Sequence, residues 1–188
     1  VAVMLEPIQG EAGVWPASDQ FMKELRTLTK EHRLLLMFDE IQTGMGRTGK
    51  FLASEHENVR PDGVILGKAL GGGLLPVSAL VGTDDLMQVF APGDHGSTFG
   101  GNPLAAAVGL AALDVLFDEG MIARSAELGA HLLARLRTVR SSLIREVRGK
   151  GLMWAVQFSS DIGERLTNDA LAAGLILNNV RPNAVRIV

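Results

Sequence analysis

Asp39 and Lys68 are the residues whose types and positions most directly suggest chemistry. Each follows an apolar run typical of a buried strand, Leu34 to Phe38 before Asp39 and Gly63 to Gly67 before Lys68. In open α/β sheets, ligands bind at the carboxyl ends of the strands. An Asp there can pair with a cationic ring nitrogen, and a Lys enclosed by apolar and Gly-rich segments is expected to have a lowered pKa that favours Schiff-base chemistry. The alternative is structural, with Asp39 capping a loop and Lys68 at a solvated strand end.

A second segment, Gly44 to Lys50, has the glycine spacing of a phosphate-binding loop but lacks its context. The dinucleotide fingerprint requires its first Gly directly after a strand and a helix after its last Gly. Asp39 to Thr43 separate this segment from the preceding strand, and Phe51 to Asn58 is too short for a crossover helix before Pro61. A Walker A loop also needs Ser or Thr after its Lys. We therefore predict a structural Gly-rich loop.

Four sequence blocks, in this order, resemble the class-III pyridoxal-phosphate aminotransferases over essentially the whole chain. The blocks are Glu6-Pro7-Ile8-Gln9-Gly10-Glu11-Ala12-Gly13, Phe38-Asp39-Glu40-Ile41-Gln42-Thr43-Gly44, Gly67-Lys68-Ala69-Leu70-Gly71-Gly72-Gly73 and His95-Gly96-Ser97-Thr98-Phe99-Gly100-Gly101-Asn102-Pro103. The resemblance implies the α/β fold type I of the pyridoxal-phosphate transferases, the aspartate aminotransferase-like fold. Within the class, Val64 to Ser78 and Gly93 to Thr98 look most like the ornithine aminotransferases, with the acetylornithine aminotransferases as runner-up.

The resemblance implies pyridoxal 5′-phosphate as the cofactor and assigns its contacts. Lys68 would form the Schiff base and carry a proton between substrate and cofactor, and Asp39 would keep the pyridine nitrogen protonated. Ile41 would pack on one ring face, although a core role suits it equally well. Gln42 would hydrogen-bond the phenolic oxygen of the ring.

Ser97 and Thr98 would bind the cofactor phosphate. In the family this Thr reaches the cofactor of the neighbouring subunit, which implies a homodimer or a higher homo-oligomer. Without the resemblance, Ser97-Thr98 is an ordinary turn between glycines.

Arg186, Glu11 and Glu6 are the substrate-binding positions that the resemblance implies. Arg186 would grip the α-carboxylate of the keto acid, because a planar guanidinium binds a carboxylate through two parallel hydrogen bonds. Glu11 would pair with Arg186 while the diamino acid is bound, and Glu6 would lie close to the cofactor without a chemical step. Without the resemblance, Arg186 is a surface cation.

The implied reaction transfers the δ-amino group of L-ornithine to 2-oxoglutarate, which yields glutamate semialdehyde and glutamate. Two alternatives stay open. The amino donor is acetylornithine or another ω-amino acid such as 4-aminobutyrate or lysine, or the chain is a catalytically incompetent fragment. The 188 residues alone are expected to be inactive, since apolar runs at both ends indicate a piece of a longer protein.

The elements around these residues alternate between strands and helices, which favours an α/β architecture with a mainly parallel sheet. We predict a first domain over 1–130, the C-terminal part of a large cofactor domain, and an incomplete small α+β domain over 131–188. The first predicted helix begins at Ser18 or Asp19. Three further helices are predicted over 103–117, 121–139 and 161–173. The predicted strands are 1–5, 34–38, 63–67, 145–148, 152–158, 175–177 and 184–188, with a turn at 149–151.

Composition excludes several other classes. The chain of 188 residues contains no Cys, which excludes disulfides, thiol nucleophiles and Cys-ligated metals. A net charge of −3 gives no electrostatic reason for binding nucleic acid or a membrane. His32, His56 and His131 have no metal-ligand spacing, and we expect all three to be solvated. The predicted compartment is the cytoplasm in a bacterium or the mitochondrial matrix in a eukaryote; these residues show no targeting segment, and a transit peptide ahead of them stays open.

Overall fold

The computed structural model describes residues 1–188, which form two four-stranded sheets, a short strand pair and five helices. The strands are β1 (Ala2–Leu5), β2 (Ile8–Gln9), β3 (Trp15–Pro16), β4 (Leu35–Asp39), β5 (Gly63–Leu66), β6 (Ala79–Gly82), β7 (Ile144–Lys150), β8 (Met153–Phe158), β9 (Asn178–Arg181) and β10 (Ala184–Ile187). The helices are α1 (Asp19–Glu31), α2 (Asp84–Met87), α3 (Pro103–Asp118), α4 (Met121–Thr138) and α5 (Gly163–Ala172).

The first sheet has the order β1-β4-β5-β6, in which β1, β4 and β5 are parallel and β6 is antiparallel. The predicted α/β class with a mainly parallel sheet is therefore confirmed. The prediction that 1–5 is a buried strand is wrong, because β1 lies at the edge of the sheet and its residues alternate between exposed and half-buried. Strand β6 was not predicted; it is short and starts soon after the Gly-rich segment at 71–73.

Helix α1 packs against β4 and fixes the position of this strand. The Ser18 hydroxyl accepts a hydrogen bond from the Phe21 N–H at 3.2 Å, so Ser18 is the N-cap, the first of the two candidates that the sequence offers. Met22 is buried against Leu36 and Phe38, both of which are fully buried in β4. Burial of a side chain of this size contributes about 1.5–3 kcal/mol. This packing fixes the end of β4, where Asp39 stands.

The second sheet has the order β7-β8-β10-β9, and all of its neighbouring strands are antiparallel. Its inner face carries Val156, Phe158 and Val185. The predicted strand at 175–177 is wrong: Ile176 is 84% exposed, and the strand that pairs with β10 is the polar β9. Apolar composition indicated a strand three residues too early, because an edge strand is defined by its backbone partner and not by its hydrophobicity. The predicted turn at 149–151 is also displaced, since β7 continues through Lys150.

The Gly-rich segment 44–50 is a structural loop, as predicted. It is followed by a single 3-10 turn, Ala53–Glu55, and not by a crossover helix. Its Arg47 carbonyl accepts hydrogen bonds from the Leu152 N–H at 2.9 Å and from the Ser125 hydroxyl at 3.0 Å. The loop thus connects the first sheet to α4 and to the turn between β7 and β8. The predicted boundary between residues 130 and 131 falls inside α4 and stays a prediction.

Glycines allow the backbones to meet at this connection. A Cβ on Gly129 would lie 2.0 Å from the Gly151 carbonyl oxygen, and a Cβ on Gly151 would lie 2.3 Å from the Thr48 carbonyl carbon. Both distances are far below any van der Waals contact. Only a residue without a side chain fits either position.

His56 lies beside the same loop and is half-buried, so the prediction that it is solvated is wrong. Its Nε2 is 3.1 Å from the Thr48 carbonyl oxygen and 3.2 Å from the Thr48 hydroxyl. Burial, and next the charge of Lys150, lower the pKa of His56 below its ordinary value of 6.5. Lys150 forms a salt bridge with Glu57, which is almost fully buried. His32 and His131 are exposed, as predicted.

Among the helices of this structure, none combines the length and the apolar content needed to cross a membrane. No cluster of three or more His, Asp and Glu side chains has a geometry that could hold a metal ion.

Candidate active site

Asp39 and Lys68 lie at the same edge of the first sheet. Asp39 is the last residue of β4, and Lys68 is the second residue after β5, its parallel neighbour. Asp39 is half-buried, and its Oδ1 accepts a hydrogen bond from the Ile41 N–H at 3.0 Å. This is the only hydrogen bond of the carboxylate, which leaves Oδ2 open to another donor. The structure therefore places at one edge of the sheet the two residues that the strand ends predict there.

Lys68 has an unusual backbone conformation. Its φ is +45°, in the left-handed region that non-glycine residues seldom adopt, and a 3-10 turn, Lys68–Gly71, starts there. Such a conformation costs about 1–3 kcal/mol and is found most often at functional sites. Lys68 makes no hydrogen bond or salt bridge, so its amine is free to react. The expected apolar enclosure is wrong, since the Lys68 side chain is exposed beside an open loop in which Leu74 is 82% exposed.

Glu40, which is not among the predicted site residues, joins the segment after β4 to the 3-10 turn Ala53–Glu55. It is fully buried, and its carboxylate accepts hydrogen bonds from the Thr43 hydroxyl and from the N–H groups of Ala53 and Ser54, each of the latter at 2.9 Å. The sequence carries a signal for the direction of this side chain but not for its partners. A second carboxylate directly after Asp39 at a strand end must point to the opposite side of the sheet.

Ile41 and Gln42 follow Glu40, and both are half-buried. Ile41 lies over Gly67, where an added Cβ would be 3.4 Å from the Ile41 Cγ2. Ile41 therefore presents an apolar surface beside Lys68. Gln42 points to the other side of the site, toward residues from the turn after β2 and from β10.

Gln42 joins Glu11 to Arg186. The Arg186 Nη1 is 2.7 Å from the Glu11 Oε1 and 3.1 Å from the Gln42 Oε1, and the Gln42 Nε2 donates to the Glu11 Oε1 at 3.1 Å. The Arg186 hydrogen bond, followed by that of Gln42, lowers the pKa of Glu11 below its ordinary value of 4.5. Lys68 lines the same cleft as Gln42 and Arg186, and its charge makes the smallest contribution to the lowered pKa of Glu11.

Arg186 has unused hydrogen-bonding capacity. Its Nε is buried and has no hydrogen-bond partner. A buried donor of this kind is costly unless something pairs with it. Arg186 also lines a cleft of about 500 Å³ together with Ile41, Gln42 and Lys68. A carboxylate in this cleft would satisfy the guanidinium with two parallel hydrogen bonds.

Three predicted residues lie apart from this group. The Glu6 Oε2 accepts the Gly10 N–H at 3.1 Å, which shapes the turn that carries Glu11. Ser97 and Thr98 are exposed, and neither contacts the other predicted residues. The Ser97 hydroxyl accepts the Gly100 N–H at 2.9 Å within its own loop.

The assembled groups have complementary chemistry. They comprise a free amine, a carboxylate with one open oxygen, an apolar surface and a guanidinium suited to a carboxylate. Such a set suits an amino acid or a 2-oxo acid, since each has a carboxylate and a carbon at which an amine can react.

Comparison with known proteins agrees with this fold. The family model for aminotransferase class-III matches residues 1–188. The chain therefore belongs to the class-III aminotransferases.

Individual members of the class show which aminotransferases this chain resembles. The chain is 48% identical over 189 residues to "Ornithine aminotransferase 1" of Staphylococcus saprophyticus, covering 99% of this chain and 47% of the relative. The structure of Plasmodium falciparum ornithine delta-aminotransferase matches 100% of this chain and 50% of its own, with a TM-score of 0.94 and 44% identity. Acetylornithine aminotransferase from Elizabethkingia anophelis matches equally well, at a TM-score of 0.94 and 44% identity, over 100% of this chain and 48% of its own. The chain thus spans about half the length of these proteins.

Proposed function

We propose that the complete protein transfers the δ-amino group of L-ornithine to 2-oxoglutarate with pyridoxal 5′-phosphate as cofactor. The observation that carries the proposal is the Glu11–Arg186 salt bridge of 2.7 Å beside the unpaired amine of Lys68. Only one of the two amino-acid substrates places a carboxylate at Arg186. The enzyme therefore needs a cation that is paired within the protein while the first substrate is bound and is free to bind the carboxylate of the second. The two ornithine aminotransferases described above support this choice of substrate.

The residues at the strand ends fit pyridoxal phosphate. Its aldehyde requires an unpaired amine, which Lys68 has, and its pyridine nitrogen requires a carboxylate, for which the Asp39 Oδ2 is open. Its ring requires an apolar surface, and Ile41 lies beside Lys68 in the same cleft. When bound, this cofactor supplies an electron sink that weakens the bonds to the carbon carrying the amino group.

The chain's own residues then have separate tasks. Asp39 would accept the pyridinium N–H on its Oδ2, held in place by the hydrogen bond from the Ile41 amide. Lys68 would hold the aldehyde carbon through its Nζ, and its amine is the group that would move a proton at the substrate carbon. Gln42 would hydrogen-bond the phenolic oxygen of the ring from its position between the two sheets.

Glu11 and Arg186 would let one cleft accept both substrates. While ornithine is bound through its distal amine, Glu11 neutralises Arg186, and no carboxylate is needed there. When glutamate or 2-oxoglutarate binds, its α-carboxylate replaces Glu11 on the guanidinium. Glu11 is 68% exposed and can swing into solvent, whereas Arg186 is 12% exposed and stays fixed.

We also propose that the protein acts as a homodimer or a higher homo-oligomer. Ser97 and Thr98 lie in an exposed loop, which suits a role as phosphate donors toward a neighbouring subunit's cofactor. The proposed compartment is the bacterial cytoplasm, or the mitochondrial matrix in a eukaryote.

A second candidate substrate is acetylornithine, which the equal likeness to the Elizabethkingia anophelis enzyme supports. Both reactions would use the same residues of this chain. Measurement of product formation with ornithine and acetylornithine in parallel separates them. Turnover with acetylornithine alone would overturn the ornithine proposal and leave the class unchanged.

Borohydride trapping with pyridoxal phosphate, followed by peptide mapping, tests the cofactor assignment. In the complete protein we expect the label on Lys68, with Lys23, Lys30, Lys50 and Lys150 unlabelled. The variant Lys68→Arg is the matched control, and it should show no label and no turnover. Label spread evenly over the five lysines would contradict the assignment. The same mapping on the 188-residue chain alone, which we expect to be inactive, reports whether the residues described here suffice to bind the cofactor.

A further inference from the structure

We propose that Arg148 is a positioning residue that sets the strength of the Glu11–Arg186 pair and thereby the balance between the two substrates. It does so by holding the turn after β2, residues 10–14, on which Glu11 stands. The inference deepens the proposed function and rests on the role given there to Glu11 and Arg186.

Arg148 donates hydrogen bonds to two backbone carbonyls of the turn. Its Nε donates to the carbonyl oxygens of Gly13 at 2.9 Å and of Val14 at 3.0 Å, and its Nη2 donates to Gly13 at 2.7 Å. The guanidinium also stacks on Trp15, with its carbon 3.5 Å from the ring centroid. Arg148 is only 8% exposed, so these contacts are shielded from water and correspondingly strong.

The turn is strained at the point that Arg148 holds. Val14 has a φ of +55° and is completely buried, and Gly13 has a φ of +111°. A β-branched residue in the left-handed region is unfavourable and persists only where its surroundings over-determine it. The contacts of Arg148 with both carbonyls supply most of that determination, beside one longer hydrogen bond of 3.3 Å from the Arg181 Nε to the Ala12 carbonyl. Without them, we expect the turn to relax toward other conformations.

The second sheet holds Arg148 itself. Its Nη1 donates to the Glu146 Oε2 at 2.9 Å and to the Gln157 Oε1 at 2.6 Å, on β7 and β8. Arg186 belongs to β10 of the same sheet and pairs with Ala155 across the ladder. The second sheet therefore carries both Arg148, which holds the Glu11 turn, and Arg186, with which Glu11 pairs.

The exposure of Glu11 makes its contact with Arg186 depend on the position of the turn. Its side chain is mostly in solvent, so the position of its turn decides how often it meets Arg186. A loosened turn weakens the pair and leaves Arg186 more available to a substrate carboxylate. Loss of Arg148 should therefore favour glutamate over ornithine without removing any group that touches substrate.

The test compares both half-reactions of the complete protein in Arg148→Met and Arg148→Lys. For Arg148→Met we expect the ratio of kcat/KM for glutamate to that for ornithine to rise about tenfold, a typical size for coupled neighbours. Arg148→Lys keeps the charge and should restore part of the ratio. Arg145→Met is the matched control, because Arg145 is exposed on the same strand and makes no hydrogen bond or salt bridge, and it should leave the ratio unchanged.

A double variant shows whether Arg148 acts through Glu11. Glu11→Gln alone should shift the ratio in the same direction, and adding Arg148→Met should shift it no further. Amide hydrogen exchange over residues 10–14 should be faster in Arg148→Met and unchanged in Glu11→Gln. Additive shifts, or an equal loss in both half-reactions, would overturn the positioning role. If Glu11→Gln itself leaves the ratio unchanged, the proposed role of the pair fails and the inference falls with it.

Discussion

Glu11 and Arg186 are 175 positions apart in sequence, and their side chains meet at 2.7 Å. The two partners differ in freedom, since the Arg186 side chain is 12% exposed and that of Glu11 is 68% exposed. Arg186 lies within a sheet strand, whereas Glu11 stands on a turn. The salt bridge therefore has one fixed and one movable member. This asymmetry is what a reversible cover over a carboxylate site requires.

Replacement of the fixed member should affect one substrate more than the other. In the complete protein, Arg186→Ala removes charge-assisted hydrogen bonds to the acceptor carboxylate, a loss of about 2 kcal/mol or roughly thirtyfold in kcat/KM. The ornithine half-reaction should change far less, because Glu11 is then simply solvated. Single-turnover kinetics of each half-reaction measure both effects. Arg165→Ala, on the exposed face of α5, is the control. Equal losses in both half-reactions for Arg186→Ala would contradict the idea that Glu11 reversibly covers Arg186.

The Glu11 carboxylate should titrate below its ordinary range. Hydrogen bonds from Arg186 and then Gln42 lower the pKa of Glu11 from 4.5, so any stability from the pair is present above about pH 4.5 and is lost as the pH falls through the lower folded value. Carbon-13 NMR of labelled glutamate checks this. In Arg186→Met the Glu11 pKa should return toward 4.5, whereas Arg165→Met should leave it lowered. An unchanged Glu11 pKa in Arg186→Met would show that the pair does not form in solution.

Glu40 should be important for stability. Glu40→Ala leaves the buried donors of Thr43, Ala53 and Ser54 without their acceptor, at a cost of at least about 2 kcal/mol. Urea unfolding monitored by circular dichroism measures the loss. Glu127→Ala, at an exposed position of α4, should change the free energy of unfolding by less than about 0.5 kcal/mol. A loss for Glu40→Ala as small as that of the control would disprove the role of Glu40 in holding the loop.

His56 should make the stability depend on pH near neutrality. Burial and the nearby Lys150 lower the pKa of His56 below 6.5 in the fold, so the unfolded chain binds the proton first. The free energy of unfolding should therefore decrease as the pH falls from about 7.5 through 6.5 toward the folded pKa. Urea unfolding at several pH values should show a weaker decrease for His56→Gln than for the exposed control His131→Gln. Parallel curves for the two variants would contradict this assignment.

The parts of the site that sequence reasoning located correctly follow from local patterns. Asp39 and Lys68 were located because apolar runs mark buried strands, and parallel strands end at one edge of the sheet. Their environment was harder to predict, since the burial of a side chain depends on which other segments pack over it, and Lys68 is exposed in the fold. The meeting of Glu11 with Arg186 was expected only from the family resemblance.

Buried charged residues were the main omission. Glu40 and Arg148 look like ordinary polar positions in the sequence, and their importance arises from backbone groups of other segments. Glu40 receives N–H groups from 13 and 14 positions away, and Arg148 reaches carbonyls 134 and 135 positions away. No local pattern encodes such contacts, because the tertiary fold alone decides which backbone groups need a partner.

The glycines at 129 and 151 also limit how such sequences can recombine. Gly129 on α4 faces Gly151, which in turn faces the backbone of Thr48, so two late segments and one early segment meet without side chains between them. A chimera that joins the first 120 residues of this chain to the corresponding later part of a relative retains this contact only if the donor has glycine at both positions. In a donor with alanine at either position, the added methyl group would overlap the facing backbone and separate the two parts of the chimera, however well its catalytic residues matched.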